Sequence, residues 1–191
     1  MKNYIKNYIS DSYSIKEKIL NQESFIELIA QAASIIKLAY DSQKKVLIAG
    51  NGGSAADAQH LATELVSKFM KDRPALNAIA LTTNTSVLTA IANDYDFEDI
   101  FARQTQAYGN QGDVFIAIST SGNSKNVIKA IQEAKNKGLK IIGLTGSKDC
   151  AMDNLCDLTI KVPSENTPII QEAHIMIGHI ICALVENEIE G

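Results

Sequence analysis

The spacing of apolar residues changes repeatedly along the chain, and each change marks an element. Between residues 24 and 39, apolar side chains fall at 25, 26, 28, 29, 32, 33, 35, 36 and 38. That stripe of period 3.6 predicts helix, and the first forty residues read as helical throughout. Val46-Leu-Ile-Ala-Gly50 follows Lys44-Lys45 as a short uninterrupted apolar run and ends in Asn51-Gly52-Gly53-Ser54. This is the pattern of a buried strand and a turn. Helix returns from Ser54, read as its N-cap, to about residue 68. Leu76–Leu81 reads as strand, residues 85–93 and 96–107 as helical, and Asp113–Ser119 as a second buried strand. Ser124–Lys137 is a helix closed by Gly138. Leu139–Thr145 and Cys156–Val162 are strands, and a last helix runs from about Pro168 to Glu186.

Five strands separated by helices require crossover connections, hence a mostly parallel sheet covered on both faces. The expected fold is a three-layer α/β/α sandwich in one domain, residues 1–191. It comprises an N-terminal helical extension (1–42) and an α/β core (43–191).

Composition narrows the class of function. The 191 residues are 46% hydrophobic and 21% charged, with 18 basic against 22 acidic side chains and a net charge of −4. That is an ordinary globular balance, and a mildly acidic chain is a poor match to duplex nucleic acid. The first twenty residues mix Lys and Tyr into their apolar positions, unlike a signal peptide. No apolar run reads as reaching the roughly 20 residues of a bilayer span. The expectation is a cytoplasmic protein with neither a nucleic-acid nor a membrane partner. Cys150, Cys156 and Cys182 form no C-x-x-C pair and read as structural.

Two loops stand where ligands bind in parallel sheets, beyond the carboxyl ends of strands. Gly50-Asn51-Gly52-Gly53-Ser54-Ala55 fits G-x-G-x-x-A, but the second strand ends Leu81-Thr82-Thr83-Asn84. It lacks the acidic partner that a dinucleotide ribose requires, which argues against that reading. Ser119-Thr120-Ser121-Gly122-Asn123-Ser124 sets four hydroxyls and a glycine at a helix N-terminus. Unpaired N–H groups and the helix dipole attract phosphate there, and hydroxyls fill its remaining acceptor positions. The alternative is a serine-rich helix cap, which needs only one hydroxyl.

His60 and Glu64 stand four apart on the predicted third helix and share a face, where both can reach one cation or substrate. The last helix carries Gln171, Glu172, His174 and His179, and it is apolar nearly all round from Ile175 to Leu184. His179 there is either a ligand or a core histidine satisfied by one hydrogen bond.

Taken together, Asn51–His60, Arg73-Pro74, Ala78–Leu81, Ala92-Asn93-Asp94, Ile118–Ser124, Leu144-Thr145-Gly146 and Gln171-Glu172-x-His174 resemble the phosphoheptose isomerases of the sugar-isomerase (SIS) domain group. The resemblance runs along nearly the whole chain. It implies a homotetramer that interconverts sedoheptulose 7-phosphate and D-glycero-D-manno-heptose 7-phosphate for bacterial surface polysaccharide. It also implies zinc held by His60, Glu64, Gln171 and His179, and phosphate held by Ser119, Thr120, Ser121 and Ser124. Sugar contacts would come from Asn51, Gly52, Gly53, Ser54, Asn93, Asp94 and Gln171.

Aldose–ketose chemistry needs a base and a second acid–base group, roles expected of Glu64 and His179. Gln171 and His179 are about 12 Å apart along a helix and turned by roughly 80°, so an active site at a subunit interface is expected. His174 is read as a pocket residue near the metal. A non-catalytic relative that binds the replication initiator shares the glycine turn and the hydroxyl loop. It lacks counterparts of Glu64 and His179, which favours the enzyme.

Overall fold

A computed structural model of the chain describes residues 1–189. Five strands form one sheet in the order β2-β1-β3-β4-β5: β1 Val46–Gly50, β2 Ala78–Ala80, β3 Val114–Ile118, β4 Lys140–Thr145 and β5 Leu158–Lys161. Every neighbouring pair is parallel, as the alternation of strand and helix requires. Side-chain alternation divides the interior into two cores. Val46, Ile48, Val114, Ile116, Ile142 and Leu144 face one side. Leu47, Ala49, Phe115, Ala117 and Ile141 face the other. The first core is covered by α1 (Lys2–Leu20), α2 (Glu23–Asp41), α3 (Gly53–Val66) and α7 (Thr167–Glu188). The second is covered by α4 (Thr85–Asp94), α5 (Ala102–Tyr108) and α6 (Lys125–Asn136).

Strand order reverses between β1 and β3. The turn after β1 opens α3 on one face, and the loop after β3 opens α6 on the other. A crevice forms at such a switch point, and both loops singled out in the sequence flank it.

Several boundaries differ from expectation. The first forty residues are two helices, broken at Asn21-Gln22, where polar residues interrupt the stripe. Residues 96–107 are not one helix. The Asp96 carboxylate accepts from the Glu98 N–H at 2.8 Å and caps a short 3-10 turn, Phe97–Asp99, before α5 begins. The N-cap of α3 lies two residues earlier than expected, at Gly52 rather than Ser54. Ser54 is buried inside the first turn instead. α7 is long and apolar enough to cross a membrane, which the sequence reading did not allow, but half of that stretch is buried inside the protein. It packs against α2 and α3 as a core helix.

Two contacts seat α7 in the core. A Cβ on Gly178 would lie 2.5 Å from Leu61 Cδ2 and 3.1 Å from Leu61 Cγ, so α3 and α7 touch at a point where only hydrogen fits. His174, expected in the ligand pocket, is instead fully buried, and its Nε2–H donates to the Thr145 carbonyl at 3.1 Å. It ties α7 to the end of β4, while its Nδ1 finds no partner among the described residues. The reason is packing: the Gln171 face of α7 turns toward α3, and His174 is pressed onto the sheet. Burial pushes its pKa down from 6.5 to about 4, although the Thr145 carbonyl opposes the shift.

Two outcomes are expected. Gly178→Ala forces Leu61 out of place and lowers stability by about 1–3 kcal/mol in urea unfolding; an unchanged midpoint contradicts the contact. His174 is held neutral in the fold, so its contribution is complete above about pH 6.5 and fades as the pH falls toward 4. The stability gap between the natural protein and His174→Asn therefore narrows on acidification, by about 2–3 kcal/mol at pH 4.5. Parallel pH profiles would contradict this.

Candidate functional site

His60 and Glu64 lie one helical turn apart on α3, and His179 follows Gly178 on α7. The Gly178–Leu61 contact therefore brings residues of both helices together. His60 Nε2 is 2.9 Å from His179 Nε2 and 3.1 Å from Glu64 Oε1. Ligand atoms of all three side chains lie within 4.8 Å of one another. The ring centroids of His60 and His179 are 5.0 Å apart, and Phe69 stacks on His179 at 5.5 Å with an interplanar angle of 23°.

Two nitrogens and a carboxylate oxygen facing one point can hold a divalent cation, and two imidazoles with a glutamate are a known catalytic donor set. Exposure is graded across the group: the His60 side chain is 50% exposed and that of Glu64 17%. His60 is thus open to solvent, while Phe69 covers one face of His179.

The hydroxyl loop is built as the sequence suggested. Ser119 Oγ lies 2.9 Å from Ser124 Oγ and 3.4 Å from Ser121 Oγ. Ser124 is the N-cap of α6, yet its hydroxyl makes no capping bond. It turns to Ser119 instead, so the plain reading of a serine-rich cap does not hold. Thr120 and Ser121 line a cavity of about 240 Å³ with Gly146, Ser164, Thr167 and Ile170.

The two loops are joined across the switch point by a reciprocal amide pair. Asn51 Nδ2 donates to Asn126 Oδ1, and Asn126 Nδ2 donates to Asn51 Oδ1, each at 2.8 Å. Asn51, Ser124 and Asn126 share a cleft of about 450 Å³ with Asp96 and Phe97. Gly53 meets α7 at the level of Gln171: a Cβ on Gly53 would lie 2.5 Å from Gln171 Nε2. Three of the four expected metal ligands thus converge, while the Gln171 amide packs on the glycine turn, seven residues before His60. Asn93 and Asp94 end α4, exposed, and Asn93 Nδ2 donates to Asp94 Oδ1 at 2.8 Å. They contact neither the triad nor the hydroxyl loop among the described bonds, but lie beside the 96–97 segment that lines the cleft.

Sequence reasoning missed Asn126, Phe69 and Asp57. Asn126 follows directly on the hydroxyl loop, but its partner is 75 residues away. Phe69 lies in a polar loop with no periodicity to mark it. Asp57 precedes His60 by one turn; burial pushes its carboxyl up, His60 opposes the shift, and Oδ2 has no hydrogen-bond partner among the described residues. Cys156 and Cys182 are structural in character: burial pushes their thiols up to about 12, far from a reactive thiolate.

Comparison with known proteins identifies the family. Residues 7–146 match the SIS domain family. Phosphoheptose isomerase 2 of Campylobacter jejuni is 58% identical over 191 residues, covering all of this chain and 95% of that protein. The phosphoheptose isomerase of Aneurinibacillus thermoaerophilus is 57% identical over 189 residues, covering 99% and 96%. The solved phosphoheptose isomerase of Francisella tularensis superposes with a TM-score of 0.93 at 38% identity, covering 97% of this chain and 98% of that one. That of Neisseria gonorrhoeae gives 0.91 at the same identity and coverage. The chain belongs to the SIS-domain family and, within it, to the phosphoheptose isomerases, enzymes that isomerise a sugar phosphate.

Proposed function

We propose that this enzyme interconverts sedoheptulose 7-phosphate and D-glycero-D-manno-heptose 7-phosphate, supplying heptose for bacterial surface polysaccharide. The observation that carries the reading is the convergence of His60, Glu64 and His179 in a molecule whose switch-point crevice also presents a hydroxyl-lined anion cradle. The names of its relatives give the substrate class.

The phosphate is received by Ser119, Thr120, Ser121 and Ser124 together with N–H groups at the start of α6. This arrangement holds an anion without a cationic side chain. The sugar hydroxyls meet Asn51, Gly52, Gly53 and Ser54 on one side, and Asn93 and Asp94 on another. Glu64 takes a proton from C1 of the ketose as the C2 carbonyl oxygen gains one, giving the enediol. A proton then returns to C2, and O1 loses its own, leaving the C1 aldehyde. His179 moves the protons at O1 and O2.

The donor set of His60, Glu64 and His179 would suit zinc. Gln171, whose amide packs on the glycine turn, would have to turn toward them to serve as the fourth ligand, and Glu64 would have to leave the ion to act as the base. Such an ion, when bound, would supply Lewis acidity toward the carbonyl oxygen of the sugar. Tyr4, Ile5, Ile9 and Tyr13 leave an exposed apolar face on α1. That face suits contact with further copies of the chain, in keeping with a cytoplasmic homotetramer whose active sites lie at subunit interfaces, the assembly that the family resemblance implies.

Glu64→Gln is expected to keep the circular dichroism spectrum and lower kcat by about 100-fold or more with sedoheptulose 7-phosphate. Substantial remaining turnover removes Glu64 from the role of base. Chelator treatment should abolish activity in the natural enzyme, with zinc restoring it; full activity of metal-free protein contradicts the metal assignment. Ser119→Ala combined with Ser124→Ala should raise KM about tenfold with a smaller change in kcat, two hydrogen bonds to a charged group having been lost. An unchanged KM places the phosphate elsewhere.

A further inference from the structure

Arg73 and Glu186 form an ion pair that the chemistry above does not use. Arg73 Nε donates to Glu186 Oε1 at 3.1 Å, and the two side chains are only 3% and 2% exposed. Charges taken so far out of water persist only where the surroundings satisfy them fully, and here they do. Glu186 accepts backbone N–H groups from Phe69 at 3.0 Å, Met70 at 2.7 Å and Lys71 at 3.0 Å. Arg73 donates to the carbonyls of Glu64 at 2.7 Å, Leu65 at 2.8 Å, Ser67 at 3.0 Å and Pro74 at 3.1 Å. Burial pushes the Glu186 carboxyl up, but the three N–H donors and the guanidinium outweigh it and hold the group below the usual carboxylate range.

The partners matter more than the pair. Arg73 grips the backbone of Glu64 itself, where the last carbonyls of α3 lack helical donors. Glu186 grips the backbone of Phe69, whose ring lies on His179. Glu186 is seven residues beyond His179 on α7, two turns on and on the same face. The pair therefore links the end of α3, the 67–73 loop and α7, with one member of the triad or its shield at each junction.

We propose that Arg73 and Glu186 are positioning residues that set the spacing of Glu64 and His179 by clamping the end of α3 and the Phe69 loop onto α7. The proposal rests on the reading of His60, Glu64 and His179 as a metal site, so its test separates the two. Arg73→Lys keeps the charge but cannot reach four carbonyls and a carboxylate at once. Glu186→Gln keeps the shape and removes the charge. Each variant, with 4-fluorophenylalanine at the five phenylalanines, is compared with the natural protein. The measurements are the fluorine resonance of Phe69, assigned with Phe69→Leu, and Co2+ affinity and absorption by titration.

The expected result is a Phe69 signal moved toward its solvent-exposed position before any metal is added. Co2+ affinity should fall tenfold or more with an altered visible spectrum, and kcat should fall with KM nearly unchanged. A folded variant that retains the natural Co2+ affinity and Phe69 resonance overturns the proposal. If Arg73→Lys does not fold, Glu186→Gln is judged by the same criteria. Absence of Co2+ binding in the natural protein removes the metal reading, whereas a Phe69 signal displaced in both variants still supports the clamp.

Discussion

The contact between α3 and α7 at Gly178 and Leu61 is the constraint on which the rest of the site depends. His179 directly follows Gly178 on α7, so the seating of Leu61 against that glycine sets where the two imidazoles meet, nitrogen to nitrogen at 2.9 Å. That seating is possible because position 178 has no side chain. The energy behind it is ordinary burial: Leu61, Leu65, Ile177, Ile181 and Val185 are all nearly inaccessible and contribute roughly 1.5–3 kcal/mol each. The polar cluster is thus assembled by apolar packing on either side of it. His174 holds the same helix to β4 and the Arg73–Glu186 pair holds it to the 67–73 loop.

Phosphate recognition has a different physical basis. A net charge of −4 would disfavour a surface that attracts anions through lysine and arginine. The hydroxyl loop avoids that conflict by presenting neutral donors at a helix N-terminus, whose dipole supplies the positive potential locally. Its hydroxyls bond to one another rather than to the helix they precede. The reciprocal Asn51–Asn126 amide pair ties the helix that this loop opens to the glycine turn.

The sheet and its loops were legible in the sequence because they follow local rules. Val46–Gly50 and Val114–Ile118 are apolar throughout, and glycine and hydroxyl runs mark where each ends. The pairing of His60 with Glu64 follows from helix geometry alone. His179 was a different matter. The sequence left His179 open between ligand and core histidine and put His174 in the pocket; packing separates them, pressing His174 onto the sheet and turning His179 to α3. Ser54 suits an N-cap by residue type, yet the helix starts at Gly53 and Ser54 is buried. Phe69, Asn126 and the Arg73–Glu186 pair depend on contacts between residues 75 to 117 positions apart, which no local pattern encodes.

The central claim is that the triad moves a proton between carbon atoms of a sugar phosphate. It is tested most directly by incubating the zinc-loaded protein with sedoheptulose 7-phosphate in D2O and following the products by proton NMR. The account predicts an aldose 7-phosphate carrying solvent deuterium at C2, because a proton held by Glu64 exchanges with solvent before it is returned. An aldose with no deuterium, as a direct hydride shift would give, or no aldose at all, would contradict it.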